Sequence, residues 1–519
     1  MKKLTALTAS TVFIGVTMLF YSGTRALATG KNSETIRVEG GMISGVRNNE
    51  TRVVAYKGIP FAAPPVGDLR WKAPQPVVPW GGVKKCDAFG SSPMQAKPVP
   101  FGVYTAEFLI PEKPISEDCL YLNVWTRQRR GAKKPVLVWI YGGGFSSGGA
   151  GVPIYDGEAM AKKGIIFVSI NYRVGIFGFF AHPDLSKESP NHASGNYGLL
   201  DQVAALKWVK KNIAAFGGDP NNVTMDGQSA GSMSVNCLVA SPIAKGLFNK
   251  AIAESGSFLI DNPISKLNDL AGAEQQGLKL AQAAHAPTLE DLRKIPAAEL
   301  MKLPGRYSPI VDGYVLPETV SKIIAEGKQK NVPLITGWNQ DEGYVQEFKK
   351  KDAFIQQAKQ QYGAKADEFL KYFPASTNEE AAKSQFRQSR DMIFAASGFK
   401  WAGKQSAQGK APVYVYNFNR KVPATPDFAK YGAFHTGEVA YVMDDLKFLN
   451  RPWGQADYNL AKLMSAYWVN FITTGNPNGK GLPEWPQYNT RTSQAMIFDK
   501  ISGKQELPGK EELKFMAEN

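Results

Sequence analysis

A chain of 519 residues, 43% hydrophobic and 21% charged, has ample material for a large buried core, which excludes a disordered or fibrous polypeptide. Its net charge of +15 is dispersed, with no basic tail or arginine/aromatic repeat, so nucleic acid is not an expected partner. Four scattered histidines and three cysteines show no ligand spacing, so neither a metal nor a cofactor is expected.

The first element in chain order is a targeting segment. Lys2 and Lys3 form a basic start, residues 4–21 are apolar, and Ala26-Leu27-Ala28 reads as a cleavage site. The expectation is a signal peptide over 1–28, export to the periplasm or beyond, and no stable membrane insertion afterwards. The rest, 29–519, contains no linker, repeat or low-complexity run, so a single α/β domain and a monomer are expected. An exported protein can keep a disulfide, and Cys86 and Cys119 lie near one another in sequence between polar segments. We expect them bridged and Cys237, in an apolar stretch, free.

Short apolar runs at 135–140, 165–170, 223–225, 251–253, 332–336 and 413–416 read as buried strands with helical stretches between them. The clearest helix spans 199–216, where Leu199, Val203, Leu206, Val209, Ile213 and Phe216 share one face and Gly217-Gly218 stops it. Alternating strands and helices predict an α/β fold: a large, mostly parallel sheet covered on both faces, with ligands at the carboxyl ends of its strands. Residues 262–373 break that rhythm and read as helical insertions that could wall a pocket.

Two pentapeptides match G-x-S-x-G. Gly144-Phe145-Ser146-Ser147-Gly148 is followed by Gly149-Ala150-Gly151-Val152-Pro153, which cannot open a helix. Gly227-Gln228-Ser229-Ala230-Gly231 follows an apolar strand and precedes a helix, the setting of a nucleophile elbow. Ser229 is therefore the candidate nucleophile. Tyr141-Gly142-Gly143-Gly144, just past a strand, can turn backbone N–H groups toward a developing oxyanion.

A serine needs a base, and of His182, His192, His285 and His435 only the last two follow it in the chain. His285 sits in an Ala-rich helix; His435 sits in a loop after a strand, where catalytic groups gather. The orienting acid should lie between serine and histidine. Asp341 and Glu342 both qualify chemically, and the residues alone leave the choice open. Glu438 is a rival that chain order makes structural.

These residues, taken with Gly58-Ile59-Pro60-Phe61, Leu69-Arg70-Trp71, Glu117-Asp118-Cys119-Leu120-Tyr121-Leu122-Asn123, Asn171-Tyr172-Arg173 and Gly195-Asn196-Tyr197-Gly198, resemble the type-B carboxylesterases from about residue 40 to 485. The resemblance implies the α/β-hydrolase fold, with helical insertions forming a gorge or lid, and a serine ester hydrolase working through an acyl-enzyme. It implies Ser229, Glu342 and His435 as the catalytic triad and Gly143, Gly144 and Ala230 as oxyanion donors. It also places the family's first disulfide on Cys86 and Cys119, structural ion pairs on Arg70–Glu117 and Arg173–Asp201, and a hydroxyl near the acid on Ser255. The chain departs from the family in having Gln228 where glutamate is usual, which removes a charge that would attract cations, and Tyr141 where histidine is common. Phe101, Tyr104 and Phe108, between the two cysteines, would suit an apolar entrance for hydrophobic or aromatic esters.

Overall fold

The computed structural model describes residues 33–127, 130–262 and 265–519; the signal peptide expected over 1–28 lies outside them. A 13-stranded sheet forms the spine. Its strands are β1 (Ser33–Val38), β2 (Gly41–Arg47), β3 (Val54–Pro60), β4 (Val83–Lys85), β5 (Tyr121–Thr126), β6 (Lys134–Ile140), β7 (Ile166–Ile170), β8 (Gly218–Gln228), β9 (Lys250–Glu254), β10 (Leu334–Asn339), β11 (Val413–Phe418), β12 (Gln494–Phe498) and β13 (Gly503–Glu506).

They lie in the order β1-β2-β3-β5-β7-β6-β8-β9-β10-β11-β12-β13, with β4 beside β2. From β7 to β12 all neighbours are parallel. The flanking strands β1, β2, β3, β5 and β13 pair antiparallel with the neighbours that continue the sheet. Parallel strands covered on both faces read as continuous apolar runs. Val136-Leu137-Val138-Trp139-Ile140 of β6 is such a run, and every one of its side chains is buried.

The principal helices are α1 (Tyr197–Asn212), α2 (Ala230–Ala240), α3 (Leu270–Ala283), α4 (Lys351–Tyr362), α5 (Asn378–Arg390), α6 (Ala396–Ala407), α7 (Gln455–Thr474) and α8 (Lys510–Glu518). The helix expected over 199–216 is α1 followed by a 3₁₀ turn, Ile213–Phe216, and Gly217 ends it in the left-handed region at φ 86°. Only a residue without a Cβ adopts that conformation freely, which is why the glycine stops the helix.

The expected Cys86–Cys119 bridge is not formed: Cys86, Cys119 and Cys237 are all free and buried. Cys86 follows β4, where its N–H donates to Ser44 and its carbonyl accepts from Lys57. Cys119 sits instead among Tyr141, Asp201 and Arg173. Nearness in sequence does not bring the two thiols together, because each is fixed by a different part of the sheet. Burial pushes the Cys86 thiol up to about 11, which keeps it protonated and unreactive.

The structural ion pairs do form. Arg173 Nη2 lies 2.8 Å from Asp201 Oδ1, both buried. Arg70 Nε donates to Glu117 at 2.7 Å, while its Nη1 donates to the carbonyls of Arg293 and Ile295, tying the insertion to the sheet.

Candidate active site

The elbow is a consequence of close packing between β6, β8 and α2. A Cβ on Gly231 would lie 2.0 Å from the Ile140 carbonyl oxygen, and one on Gly227 would lie 2.5 Å from the Gly231 backbone. With glycine at both places α2 springs directly from β8, and Ser229 takes up φ 58°, ψ −123° at the helix N-cap. That conformation is costly for a residue with a side chain and is held by the surrounding strands; the Ser229 N–H donates to the Glu254 carbonyl at 2.8 Å.

Ser146 adopts no such geometry. Its hydroxyl turns back to the Gly143 carbonyl at 3.2 Å, in a turn with no helix behind it.

Ser229, His435 and the Gly142–144 loop line one cavity of about 520 Å³. Gly142 lets the loop approach the serine, since a Cβ there would lie 2.9 Å from the Ser229 Cβ. Gly143 and Gly144 both have positive φ, 110° and 61°, and their N–H groups donate to no oxygen of the described residues. The Ala230 amide opens α2, where an α-helix offers no internal acceptor. Tyr141 points away from this cavity, stacked on Tyr172 with ring centroids 4.4 Å apart and exchanging hydrogen bonds with its backbone.

The two acidic neighbours are sorted by the loop after β10. Glu342 Oε2 lies 2.7 Å from His435 Nδ1, and its Oε1 accepts the Asn339 N–H at 2.8 Å. Asp341 faces the other way: its Oδ2 accepts the Ala433 N–H at 2.8 Å and its own N–H donates to the Ala433 carbonyl. One acid contacts the imidazole and the other pins the loop that carries it.

Glu438 stands behind both, bonded to the Asn339 side-chain amide. Burial, and then the charge of Glu342, push its carboxyl up to about 7. Ser255 takes φ 56° and donates its N–H to the Gly337 carbonyl of β10, the strand that leads into this loop, and its hydroxyl has no hydrogen-bond partner.

Sequence reasoning missed what holds the imidazole. Phe394, in the π-helical turn Asp391–Ala395, stacks on His435 with centroids 4.5 Å apart. Gln228 Nε2 lies 3.4 Å from Nδ1 and 3.2 Å from Nε2. An atom that near both ring nitrogens has to sit out of the ring plane, because an in-plane position would collide with Cε1. The Gln228 Oε1 in turn accepts from Thr436 at 3.3 Å. The ring is thus held between an aromatic face and a carboxamide. Nothing local in the sequence marks Phe394; a π-turn beside a functional group is its only general signature.

A pair of buried acids lies below the elbow. Asp226 and Glu254 are fully buried on neighbouring strands, and burial pushes both carboxyls well above the usual range. Trp468 Nε1 donates to Glu254 at 2.9 Å.

The entrance is aromatic, as the sequence suggests. Phe101, Tyr104 and Phe108 line the cavity, Tyr104 packs edge-on against Phe108, and the Tyr104 hydroxyl donates to the His435 carbonyl at 2.9 Å.

The sequence matches the carboxylesterase family over residues 32–516. The chain belongs to the carboxylesterase family. Its fold is therefore the α/β-hydrolase fold, and the protein is a serine hydrolase of carboxylic esters. Similar carboxylesterases include the para-nitrobenzyl esterase of Bacillus subtilis (strain 168), 37% identical over 90% of this chain and 95% of the relative. The fumonisin B1 esterase of Sphingopyxis macrogoltabida is 36% identical over 89% of this chain and 85% of the relative. Carboxylesterase 1C of Rattus norvegicus is 34% identical, covering 88% of each chain. Among the described residues no group of side chains fits a metal ion, and no helix is long and apolar enough to cross a membrane.

Proposed function

We propose that Ser229, His435 and Glu342 are the catalytic triad of this esterase and that the amides of Gly143, Gly144 and Ala230 are its oxyanion hole. The observation that carries the reading is the 2.7 Å contact between Glu342 and His435 Nδ1, made at the wall of the cavity that Ser229 lines. With Nδ1 engaged, Nε2 is the nitrogen that takes the serine proton as Oγ attacks the acyl carbon. The three amides hold the negative oxygen, the alcohol leaves with the proton, and water activated by the same imidazole releases the acid. Glu342 fixes the tautomer and stabilises the imidazolium.

The aromatic entrance and the absence of any carboxylate among the cavity lining support small to medium esters with hydrophobic or aromatic parts. The basic start, apolar run and Ala26-Leu27-Ala28 within 1–28 support export of the 29–519 domain; an activity assay on periplasmic and medium fractions tests that part.

Ser229→Ala is expected to lower p-nitrophenyl ester turnover by about 10⁴-fold or more with the fold intact by circular dichroism. Near-normal turnover in that variant would remove Ser229 from its role.

A further inference from the structure

The insertion between β9 and β10 walls a cavity of its own, of about 540 Å³, which shares no lining residue with the cavity at Ser229. Its floor is apolar: Phe179, Phe180, Leu280 and Ile310 are all buried. Lys266, Lys279 and Arg306 are exposed around it, and no aspartate or glutamate lines it. The cations just beyond are neutralised, Arg293 by Glu188, Lys294 by Glu290 and Lys302 by Glu299, whereas Lys266 and Lys279 form no ion pair among the described residues. Tyr307 adds a hydroxyl that is enclosed in the wall and has no hydrogen-bond partner.

An apolar floor beneath Lys266 and Lys279, neither of them in an ion pair among the described residues, selects for one chemistry. A cation is repelled, a neutral oil leaves the charges unused, and a small inorganic anion leaves the floor wet. We propose that this cavity is a second, non-catalytic binding site for an amphipathic carboxylate of medium chain length, its tail on Phe179, Phe180 and Leu280 and its head between Lys266, Lys279 and Arg306. The acid released by an esterase belongs to this class. The two cavities are one aromatic layer apart: Phe179 packs edge-on against Phe145, the residue after Gly144, with centroids 5.3 Å apart.

Calorimetric titration with decanoate, below its micellar concentration, tests the site without reference to hydrolysis. The intact protein is expected to bind decanoate. Lys266→Glu with Lys279→Glu, both at exposed positions, is expected to weaken binding about tenfold or more while ester turnover is unchanged. Decanol and decyltrimethylammonium are expected to bind the intact protein at least about tenfold more weakly than decanoate does. Undiminished decanoate binding by the charge-reversed protein would assign the ligand to the Ser229 cavity and overturn the proposal. So would equal binding of decanol, or no binding of decanoate at all.

Discussion

Asp341 and Glu342 carry the same functional group one residue apart and have opposite duties. Glu342 meets the imidazole, and Asp341 meets the backbone of Ala433. Replacing Glu342 by Gln keeps the shape but removes the charge that stabilises the imidazolium in the proposed triad, so kcat is expected to fall about 10³–10⁴-fold. Asp341→Asn weakens the tie to Ala433 instead. It is expected to cost about 1–2 kcal/mol of stability and to leave kcat within about tenfold. Steady-state kinetics and thermal melts on the two variants separate the roles; equal kinetic losses would contradict them.

Glu438 belongs to a third class, a buried acid kept neutral. Unfolded, a glutamate releases its proton near about pH 4.3; folded, Glu438 holds it up to about 7. Between those values the native state binds the extra proton, so stability falls as pH rises. Glu438→Gln is expected to lessen that slope in melting temperatures taken from pH 4.5 to 7.5. Asp226 and Glu254, raised in the same direction by burial, keep part of it. An unchanged slope would mean that Glu438 is ionised in the folded protein.

At the scale of elements, the strand–turn–helix at 218–240 is constrained by sterics more than by chemistry. Gly231→Ala drives a methyl group to 2.0 Å from the Ile140 carbonyl oxygen, so α2 has to back away from β6. The expected result is a loss of about 1–3 kcal/mol in chemical denaturation and more than about 10²-fold in kcat/KM, because the serine moves relative to the glycine loop. Gly403→Ala, inside α6, is the contrasting case. The nearest atom to the new methyl is a Thr490 side-chain carbon at 3.6 Å, so it is expected to raise stability by about 0.4–1 kcal/mol. The same substitution thus changes sign with the surroundings.

For the whole molecule, three buried free cysteines lead to a direct expectation: titration of the denatured, unreduced protein gives three thiols, and reductant leaves the melting temperature unchanged. One thiol would restore the bridge expected from the sequence. The sheet itself was read correctly where strands are parallel and buried on both faces, since 135–140 and 413–416 are unbroken apolar runs. It was missed at its margins. β1 to β3 have half-exposed faces and β13 is mostly exposed, while β5 and β12, though buried, carry the polar residues Asn123, Thr126 and Gln494 in or beside short apolar stretches. There the apolar pattern is diluted, and pairing with a distant partner does what local composition does not. The insertion at 262–373 does wall a pocket, but the one beside Lys279 and not the one at Ser229, which is closed by 95–110 instead.

By itself the sequence determined the parts whose signal is local. Gly227 and Gly231 mark the elbow around Ser229 because a side chain at either would collide with backbone, and Gly142 and Gly143 mark the loop beside it for the same reason. It also narrowed the candidate base to His435. Only the tertiary structure decided which of two adjacent carboxylates faces that histidine, that Phe394 and Gln228 hold its ring, and that Cys86 and Cys119 stay apart. Those are matters of direction and distance between segments far apart in the chain. They are set by how loops leave neighbouring strands of the sheet, and residue type alone does not encode them.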